Sequence, residues 1–241
     1  MLFLFKTSLI FQFKSIIKNI ISLIYKYMMN ILITVAHPDD ETIGMGGTIK
    51  KLSKNNEITL CVMTDGASAQ YNDKKMIKVR QDACKKAGKI LGISKFHFLD
   101  FPDMKLDLIS HVEINKELEK IIKIINPTIL YSTPYNDINK DHQKVFESCS
   151  VISRPISSKI KQFLCFEIGG RDKTPFNSNT YVDISKELPF KLKALKEYKS
   201  EINPFPHPRS LKFIESLSHV RGVESGFKNA EAFQLIKNFI N

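Results

Sequence analysis

The sequence predicts an α/β fold in which helices cover both faces of a mostly parallel sheet. Short apolar runs rich in β-branched residues alternate with longer stretches of helical periodicity, as in parallel sheets with crossover helices. The 241 residues suffice for one large domain with a full core. No repeat or low-complexity linker interrupts residues 29–241, so we expect a single Rossmann-like domain there.

The predicted strands are short apolar runs bounded by polar turns. Residues 31–36 are almost entirely apolar, which is typical of a strand buried on both faces. Further strands are expected over residues 58–63, 96–99, 128–132, 163–168 and 180–184.

Helical periodicity predicts the elements between and after these strands. Ser110 and Glu113 have the spacing of a capping box, and apolar residues then recur at helical spacing until Asn126-Pro127. Pro189 fits the first turn of a later helix. Helices are expected over residues 44–53, 74–91, 110–126, 141–152, 189–198, 209–220 and 229–239.

The cysteines indicate a reducing compartment. Cys61, Cys84, Cys149 and Cys165 lack CxxC spacing, and two of them lie inside predicted strands. We expect four reduced, mostly buried thiols and therefore a cytoplasmic protein. No run approaches the ~18 apolar residues that a transmembrane helix needs.

The net charge of +11 raises the question of a nucleic-acid partner. Lysine dominates the cations, arginine is not clustered, tryptophan is absent, and no nucleic-acid-binding motif is present. We therefore expect no nucleic acid to bind. An anionic substrate or a membrane surface explains the excess charge equally well.

Residues 1–28 differ from the rest of the chain. They are rich in Phe, Leu, Ile and Lys and contain no acidic residue. A signal peptide is not expected, because lysines interrupt the apolar region and no small-residue cleavage site follows. Two interpretations stay open: a basic amphipathic helix in peripheral contact with a membrane, or a segment absent from the native protein, with Met28 or Met29 as its start.

The strongest chemical signal follows the first predicted strand, where the chain reads His37-Pro38-Asp39-Asp40-Glu41. Adjacent carboxylates at the end of a buried strand resist ionisation unless a cation compensates them. A mixed nitrogen and oxygen donor set suits zinc. The motif therefore predicts a metal site; the alternative is a solvent-exposed acidic turn.

A third metal ligand must come from elsewhere, and His142 is the best candidate. It follows a polar loop after the fourth predicted strand, which brings it to the same carboxyl edge of the sheet as His37. Its neighbour Asp141 is a candidate for a carboxylate that orients an imidazole by a hydrogen bond to its second nitrogen.

These residues resemble the PIG-L/LmbE-like zinc de-N-acetylases. The first motif, followed by Gly46-Gly47 and a helix, carries most of the resemblance, which extends over most of residues 30–241. Further matching segments are Thr64-Asp65-Gly66, Arg80, Phe101-Pro102-Asp103, Asp137 to His142 and His207-Pro208-Arg209-Ser210.

The resemblance implies a zinc-dependent hydrolase that removes an acetyl group from an N-acetylated amino sugar, an N-acetylglucosamine-type conjugate. It implies that His37, Asp40 and His142 bind Zn²⁺. Asp39 would be the general base that takes a proton from metal-activated water.

The resemblance also suggests residues around the substrate. Arg80 and Asp103 are candidate sugar contacts, although an ion pair on a helix face is an equal alternative for Arg80. Asn139 stands where some members carry a histidine. Its amide can donate a hydrogen bond to an oxyanion but cannot shuttle a proton.

Two alternative functions remain. Gly44-Met45-Gly46-Gly47 lies between a strand and a helix, as in a Rossmann-like nucleotide-binding module without hydrolase activity. The spacing is GxGG instead of GxGxxG, however, and the upstream carboxylates would repel a pyrophosphate. A zinc amidase acting on a non-sugar amide is the other alternative, because the metal residues alone do not distinguish it.

Overall fold

The computed structural model describes residues 28–71 and 73–240, so most of the predicted N-terminal extension lies outside the described residues. The strands are β1 (Asn30–Val35), β2 (Glu57–Thr64), β3 (Lys95–Phe101), β4 (Ile129–Ser132), β5 (Gln162–Phe166), β6 (Thr180–Asp183) and β7 (Ala230–Asn238). They form one seven-stranded sheet in the order β3-β2-β1-β4-β5-β7-β6. The first five strands pair in parallel, while β7 is antiparallel to both of its neighbours.

Helices cover both faces of this sheet, as predicted. They are α1 (Asp40–Leu52), α2 (Lys75–Leu91), α3 (His111–Ile125), α4 (Lys140–Ile152), α5 (Leu188–Leu195) and α6 (Leu211–Ser225), with a 3₁₀ turn at Leu106–Leu108. One apolar core lies between the sheet and helices α1, α2, α5 and α6. The other lies under α3 and α4. Alternate β1 residues enter opposite cores, Ile33 one and Leu32 the other, so β1 is buried on both faces.

The helix predicted over residues 229–239 is wrong, because this segment forms β7. Gly226, at φ +75°, ends α6. The chain then enters the gap between β5 and β6 and pairs with both. Residues such as Ala230 and Glu231 favour helices in isolation, but two ladders of backbone hydrogen bonds and burial override that local preference.

Helix α1 begins earlier than the predicted 44–53 and is broken in the middle. It starts at Asp40, and Met45 has non-helical angles (φ −141°, ψ 24°). Past the break, the N–H groups of Gly47 and Thr48 donate to the buried Glu231 carboxylate at 2.9 and 2.7 Å. The glycine segment therefore binds an internal carboxylate where a nucleotide-binding module would bind a phosphate, which argues against the nucleotide-binding alternative.

The capping box predicted at Ser110 is also wrong. The Ser110 side chain makes no hydrogen bond to α3. The backbone carbonyl of Ser110 instead accepts from the Glu113 N–H at 2.9 Å. The helix begins at the predicted place, and its start depends on backbone hydrogen bonds together with burial of its apolar face.

Among the described residues, no helix is both long enough and apolar enough to cross a membrane.

Candidate metal centre and active-site cavity

Three donor atoms converge at the carboxyl edge of the sheet. His37 Nδ1 lies 3.2 Å from His142 Nε2 and 3.4 Å from Asp40 Oδ2, and the last two atoms are 3.3 Å apart. His37 follows β1, Asp40 begins α1, and His142 lies in the first turn of α4. All three side chains are buried. This nearly equilateral triangle of nitrogen and oxygen donors could hold a metal ion.

The turn between β1 and α1 positions His37 and Asp40. Asp39, which precedes α1, has φ +133°, a conformation that is costly for a residue with a side chain. The His37 N–H donates to Asp40 Oδ2 at 2.9 Å, and the Asp39 N–H donates to Glu41 Oε2 at 3.2 Å. Backbone strain of this kind persists where the surrounding contacts enforce it and is common at functional sites.

Glu41, the third carboxylate of the motif, accepts hydrogen bonds from the turn and from two hydroxyl groups. Its Oε1 accepts hydrogen bonds from Tyr198 Oη at 2.5 Å and Thr42 Oγ1 at 2.6 Å. Burial raises the pKa of Glu41 to about 7. The acidic motif therefore divides between Asp40, which belongs to the donor triangle, and Glu41, which fixes the backbone of the turn.

Each imidazole is held by a carboxylate through its second nitrogen. His37 Nε2 lies 3.2 Å from both Asp103 Oδ1 and Asp141 Oδ2. His142 Nδ1 lies 2.6 Å from Asp137 Oδ2. Such outer carboxylates fix the orientation and tautomer of a metal-binding histidine. Asp141 thus contacts the distant His37, while Asp137, which the sequence analysis did not single out, holds His142.

The carboxylates around the two imidazoles favour their protonated forms, and the imidazoles favour an ionised Asp40. Burial lowers the pKa of His37, but hydrogen bonds to Asp103, Asp141 and Asp40 outweigh it and hold that pKa well above its usual value. The pKa of His142 is likewise raised by Asp40 and Asp137, against the effect of burial. Burial would raise the pKa of Asp40, but the two imidazoles hold it well below its usual range.

Asp39 has a different environment from Asp40. Its Oδ2 faces Arg80 at 3.5 Å and Arg209 at 3.8 Å. Burial raises the pKa of Asp39, the two arginines oppose that rise, and Asp40 adds to it. Its Oδ1 is buried without a hydrogen-bond partner, as is Oδ1 of Asp40. Unpartnered buried carboxylate oxygens are costly, which fits a site built to receive a cation or a proton.

A cavity of about 490 Å³ opens over the donor triangle, and His37 lines it. Asp103 and the buried Arg80 lie in its wall. The Arg80 guanidinium donates to the Gly66 and Pro38 carbonyls and pairs with Glu201 at 3.4 Å. Arg80 is therefore a buried residue of the cavity wall, and its carboxylate partners come from other segments instead of from the face of its own helix.

Asn139 lies at the cavity wall and caps helix α4. Its Oδ1 accepts from the Asp141 N–H at 2.8 Å, which leaves its amide nitrogen 3.5 Å from Met104 Sδ. The cap holds the start of α4, the turn that carries Asp141 and His142, and leaves the amide as a donor at the cavity.

Two further residues of the site come from the segment after α5. Arg209 pairs with Glu201 at 2.5 Å, and both line the cavity. Arg209 lies in a segment that matches the family resemblance, but nothing in the local pattern indicates that it approaches Asp39 from about 170 residues away in the chain. That proximity depends on how α5 and α6 pack on the sheet.

The chain matches a known protein family. Residues 32–152, about half of the chain, match the family model described as PIG-L, GlcNAc-PI de-N-acetylase. The diacetylchitobiose deacetylase of Thermococcus kodakarensis is 26% identical over 217 residues, covering 83% of this chain and 80% of the relative. The deacetylase YaiS of Escherichia coli K12 is 31% identical over 180 residues, covering 70% of this chain and 90% of the relative.

The fold has close counterparts among solved structures. The N,N'-diacetylchitobiose deacetylase from Pyrococcus horikoshii superposes with a TM-score of 0.72 at 24% identity, covering 88% of this chain and 85% of the other. This similarity confirms the predicted fold class.

Proposed function

Because this chain belongs to the PIG-L family and is therefore a deacetylase, we propose that it removes the acetyl group from an N-acetylated amino sugar by zinc-dependent hydrolysis. The substrate class is an N-acetylglucosamine-type conjugate. The observation that carries the proposal is the triangle of donor atoms from His37, Asp40 and His142, of which His37 lines a cavity. The neighbouring residue Asp39 has a buried carboxylate oxygen without a hydrogen-bond partner among the described residues.

Zinc fits the donor triangle by distance as well as by chemistry. A tetrahedral zinc ion with bonds of about 2.0–2.1 Å holds its ligand atoms about 3.3–3.4 Å apart. The three donor atoms here are separated by 3.2, 3.3 and 3.4 Å. We propose His37, Asp40 and His142 as the zinc ligands, with Asp137 and Asp141 orienting the two imidazoles.

Asp39 is the proposed general base. When bound, zinc supplies a Lewis acid for the amide carbonyl and lowers the pKa of water toward about 7. Asp39 Oδ1 accepts the proton of the attacking water and returns it to the departing amine. Burial raises the pKa of Asp39, while Arg209 and Arg80 lower it, so the two arginines favour the ionised form that accepts the proton.

The remaining cavity residues have supporting roles in this proposal. The Asn139 amide donates a hydrogen bond to the developing oxyanion, and Arg80 and Asp103 contact the sugar from the wall. Cys61, Cys84, Cys149 and Cys165 are buried free thiols, which supports the proposed cytoplasmic location.

The proposal is tested by metal dependence and by a substrate panel. Chelation should abolish amine release from N-acetylglucosamine conjugates, and zinc should restore it. His142→Ala should lower both zinc content and turnover, whereas His219→Ala, a change at an exposed residue of α6, should alter neither. Full zinc content and normal turnover in His142→Ala would falsify the ligand assignment. Release of acetate from acetyl-lysine peptides, but not from sugars, would replace the sugar substrate with a non-sugar amide.

A further inference from the structure

A second pocket, of about 250 Å³, lies outside the active-site cavity. It is enclosed by the loop between β4 and α4, helix α4, the loop after β5 and strand β7. Its lining includes Tyr135, Asn136, Phe146, Thr174, Asn177 and Gln234. Among the described residues that line it, none carries a charge, so the pocket favours a neutral ligand.

The side chain of Tyr135 is held in this pocket by aromatic neighbours and is still 58% exposed. The centroid of its ring lies 5.4 Å from that of Phe146, which in turn lies 5.8 Å from that of the buried Phe163. Three aromatic rings therefore connect the core to the pocket. A tyrosine fixed in this way presents an apolar ring and a polar hydroxyl tip, and a sugar ring has C–H faces and hydroxyl groups that complement both.

Amide side chains supply much of the polar lining of the pocket. Asn136 Nδ2 donates to the Thr174 carbonyl at 2.9 Å, which joins two sides of the pocket. Within residues 28–71 and 73–240, the side chains of Asn177 and Gln234, which also line the pocket, make no hydrogen bond to another residue. An amide side chain both donates and accepts hydrogen bonds, as does each hydroxyl of a sugar. These two groups therefore suit a ligand that carries several hydroxyls.

Two paired loops connect this pocket to the active-site cavity. The Lys173 N–H donates to the Asn136 carbonyl at 2.8 Å, and the Ile138 N–H donates to the Arg171 carbonyl at 2.9 Å. Asn136 lines the pocket, whereas Ile138 and Arg171 line the cavity. Two residues of chain span at most about 7 Å, so the pocket and the cavity are neighbours along the paired loops. A ligand that fills both is therefore elongated.

We propose that the second pocket binds a neutral sugar ring of an oligosaccharide whose acetamido group lies at the donor triangle. This inference rests on the proposed function for the orientation of the substrate, whereas ring binding in the pocket does not depend on hydrolysis. The Tyr135 ring stacks on a C–H face of the sugar, and the Asn177 and Gln234 amides bind its hydroxyls. Because the segment from Asn136 to Ile138 separates the pocket from the cavity, the ring in the pocket is not the one that loses its acetyl group. The pocket therefore selects for the length of the saccharide.

The test compares β-1,4-linked oligomers of N-acetylglucosamine that contain from one to five rings. For the native protein, kcat/KM should rise at the chain length that reaches the pocket. Tyr135→Ala should lower kcat/KM for these longer oligomers by roughly 2- to 10-fold, the usual effect of losing one aromatic contact, and should leave the single-ring substrate unaffected. Tyr135→Phe keeps the ring and should retain most of the rise, whereas Gln234→Leu, which removes an amide, should reduce it.

Phe190→Ala is the matched control. Phe190 is also an exposed aromatic residue, and it lines neither the pocket nor the cavity, so the dependence on chain length should stay at the native value. A general disturbance of the loop between β4 and α4, which also carries Asp137, would lower zinc content and slow the single-ring substrate as well. Zinc content and melting temperature, measured on every variant, therefore distinguish loss of the pocket from loss of the loop.

Binding of cellotetraose, a neutral oligosaccharide without acetamido groups, separates this inference from the proposed function. Ligand-detected NMR should show that the native protein binds it and that Tyr135→Ala binds it more weakly. Tyr135-dependent binding without acetate release from any N-acetylglucosamine oligomer would support the pocket and overturn the proposed reaction. Turnover of all the oligomers with equal kcat/KM, or with a dependence on chain length that Tyr135→Ala leaves unchanged, would overturn the pocket and leave the deacetylase function intact.

Discussion

Asp39 and Asp40 are adjacent in the chain and have opposite electrostatic surroundings. Asp40 faces two imidazoles, which hold its pKa well below the usual range. Asp39 faces two guanidinium groups, yet burial still leaves its pKa raised. A carboxylate with a depressed pKa is suited to bind a cation, and one with a raised pKa is suited to accept and release a proton.

This contrast predicts different outcomes for two substitutions. Asp39→Asn should retain zinc and lose about 10²- to 10⁴-fold in kcat, the usual effect of removing a general base. Asp40→Ala should instead lose zinc affinity, because one of three protein ligands is gone. Zinc content by elemental analysis, together with steady-state kinetics, distinguishes them. If both variants kept zinc and had similar rates, the division of roles would be wrong.

The two imidazoles predict a pH-dependent metal affinity. The neighbouring carboxylates raise the pKa values of both rings against the effect of burial. Before zinc binds, both rings therefore keep their protons up to a higher pH than an isolated histidine does. Zinc must displace those protons. The apparent affinity should therefore fall as pH is lowered, by up to about 100-fold per pH unit where both rings must be deprotonated.

Competition with a chromophoric chelator between pH 8.5 and 6 measures this dependence. Asp137→Asn should move the pH range over which zinc affinity falls to lower values, because Asp137 raises the pKa of His142. It should also weaken zinc binding by roughly 10- to 100-fold, because it removes an orienting partner. An affinity independent of pH across this range would contradict the prediction.

At the scale of elements, the broken helix α1 depends on strand β7. The α1 break leaves backbone N–H groups that Glu231 of β7 satisfies, and Lys191 of α5 donates to the same carboxylate at 2.6 Å. Both charged side chains are buried. Strand β7, the last strand along the chain, is therefore hydrogen-bonded to helix α1, whose first turn carries Asp40.

This contact predicts a large loss of stability on Glu231→Ala. The change leaves a buried ammonium group unpaired and two N–H groups without an acceptor, which should cost about 3–5 kcal/mol of unfolding free energy. Urea unfolding measures the loss. Glu215→Ala on the exposed face of α6 is the control and should change stability by less than about 0.5 kcal/mol. If Glu231→Ala also lost less than about 0.5 kcal/mol of unfolding free energy, the buried pair of Lys191 and Glu231 would be dispensable for stability.

At the scale of the whole molecule, the sheet order gathers residues from distant parts of the chain. Strand β1 lies inside the sheet, between β2 and β4. The segments that follow β1, β3 and β4 supply His37, Asp103 and His142 at one edge of the sheet. Chemistry at the carboxyl ends of strands, where the order changes direction, is the general rule for such sheets.

The same organisation predicts that residues 1–28 are dispensable for folding and catalysis. The sheet begins at Asn30 and the site at His37. A chain beginning at Met29 should therefore fold, bind zinc and turn over soluble substrate as the 241-residue chain does. Melting temperature, zinc content and kcat/KM of the two chains are the measurements.

Two further measurements address the origin of the extension. Sedimentation with anionic vesicles compares membrane association of the two chains, and sequencing of the native N-terminus identifies its first residue. Met1 at the native terminus, with vesicle binding lost on truncation, would make the extension an anchor and reject the view that it is absent from the native protein.

The fold class, most element positions and the candidate metal-binding motif could be predicted from local patterns of residues. A strand or helix that is buried on one or both faces has a short-range pattern of apolar residues in its sequence. The bounds of β1 and α3 could therefore be predicted closely. His37 and His142 could be singled out because each follows a buried strand at the same edge of the sheet, whereas the choice of Asp40 as the third ligand came from the family resemblance.

The partner of each site residue could not be predicted from local patterns and is visible in the folded structure alone. It pairs His142 with Asp137 and His37 with Asp141, brings Arg209 to Asp39, and turns a helix-favouring segment into β7. The physical reason is that these contacts join residues between five and about 170 positions apart. Their geometry depends on how helices pack on the sheet and on satisfying buried hydrogen bonds, which no local pattern of residues encodes.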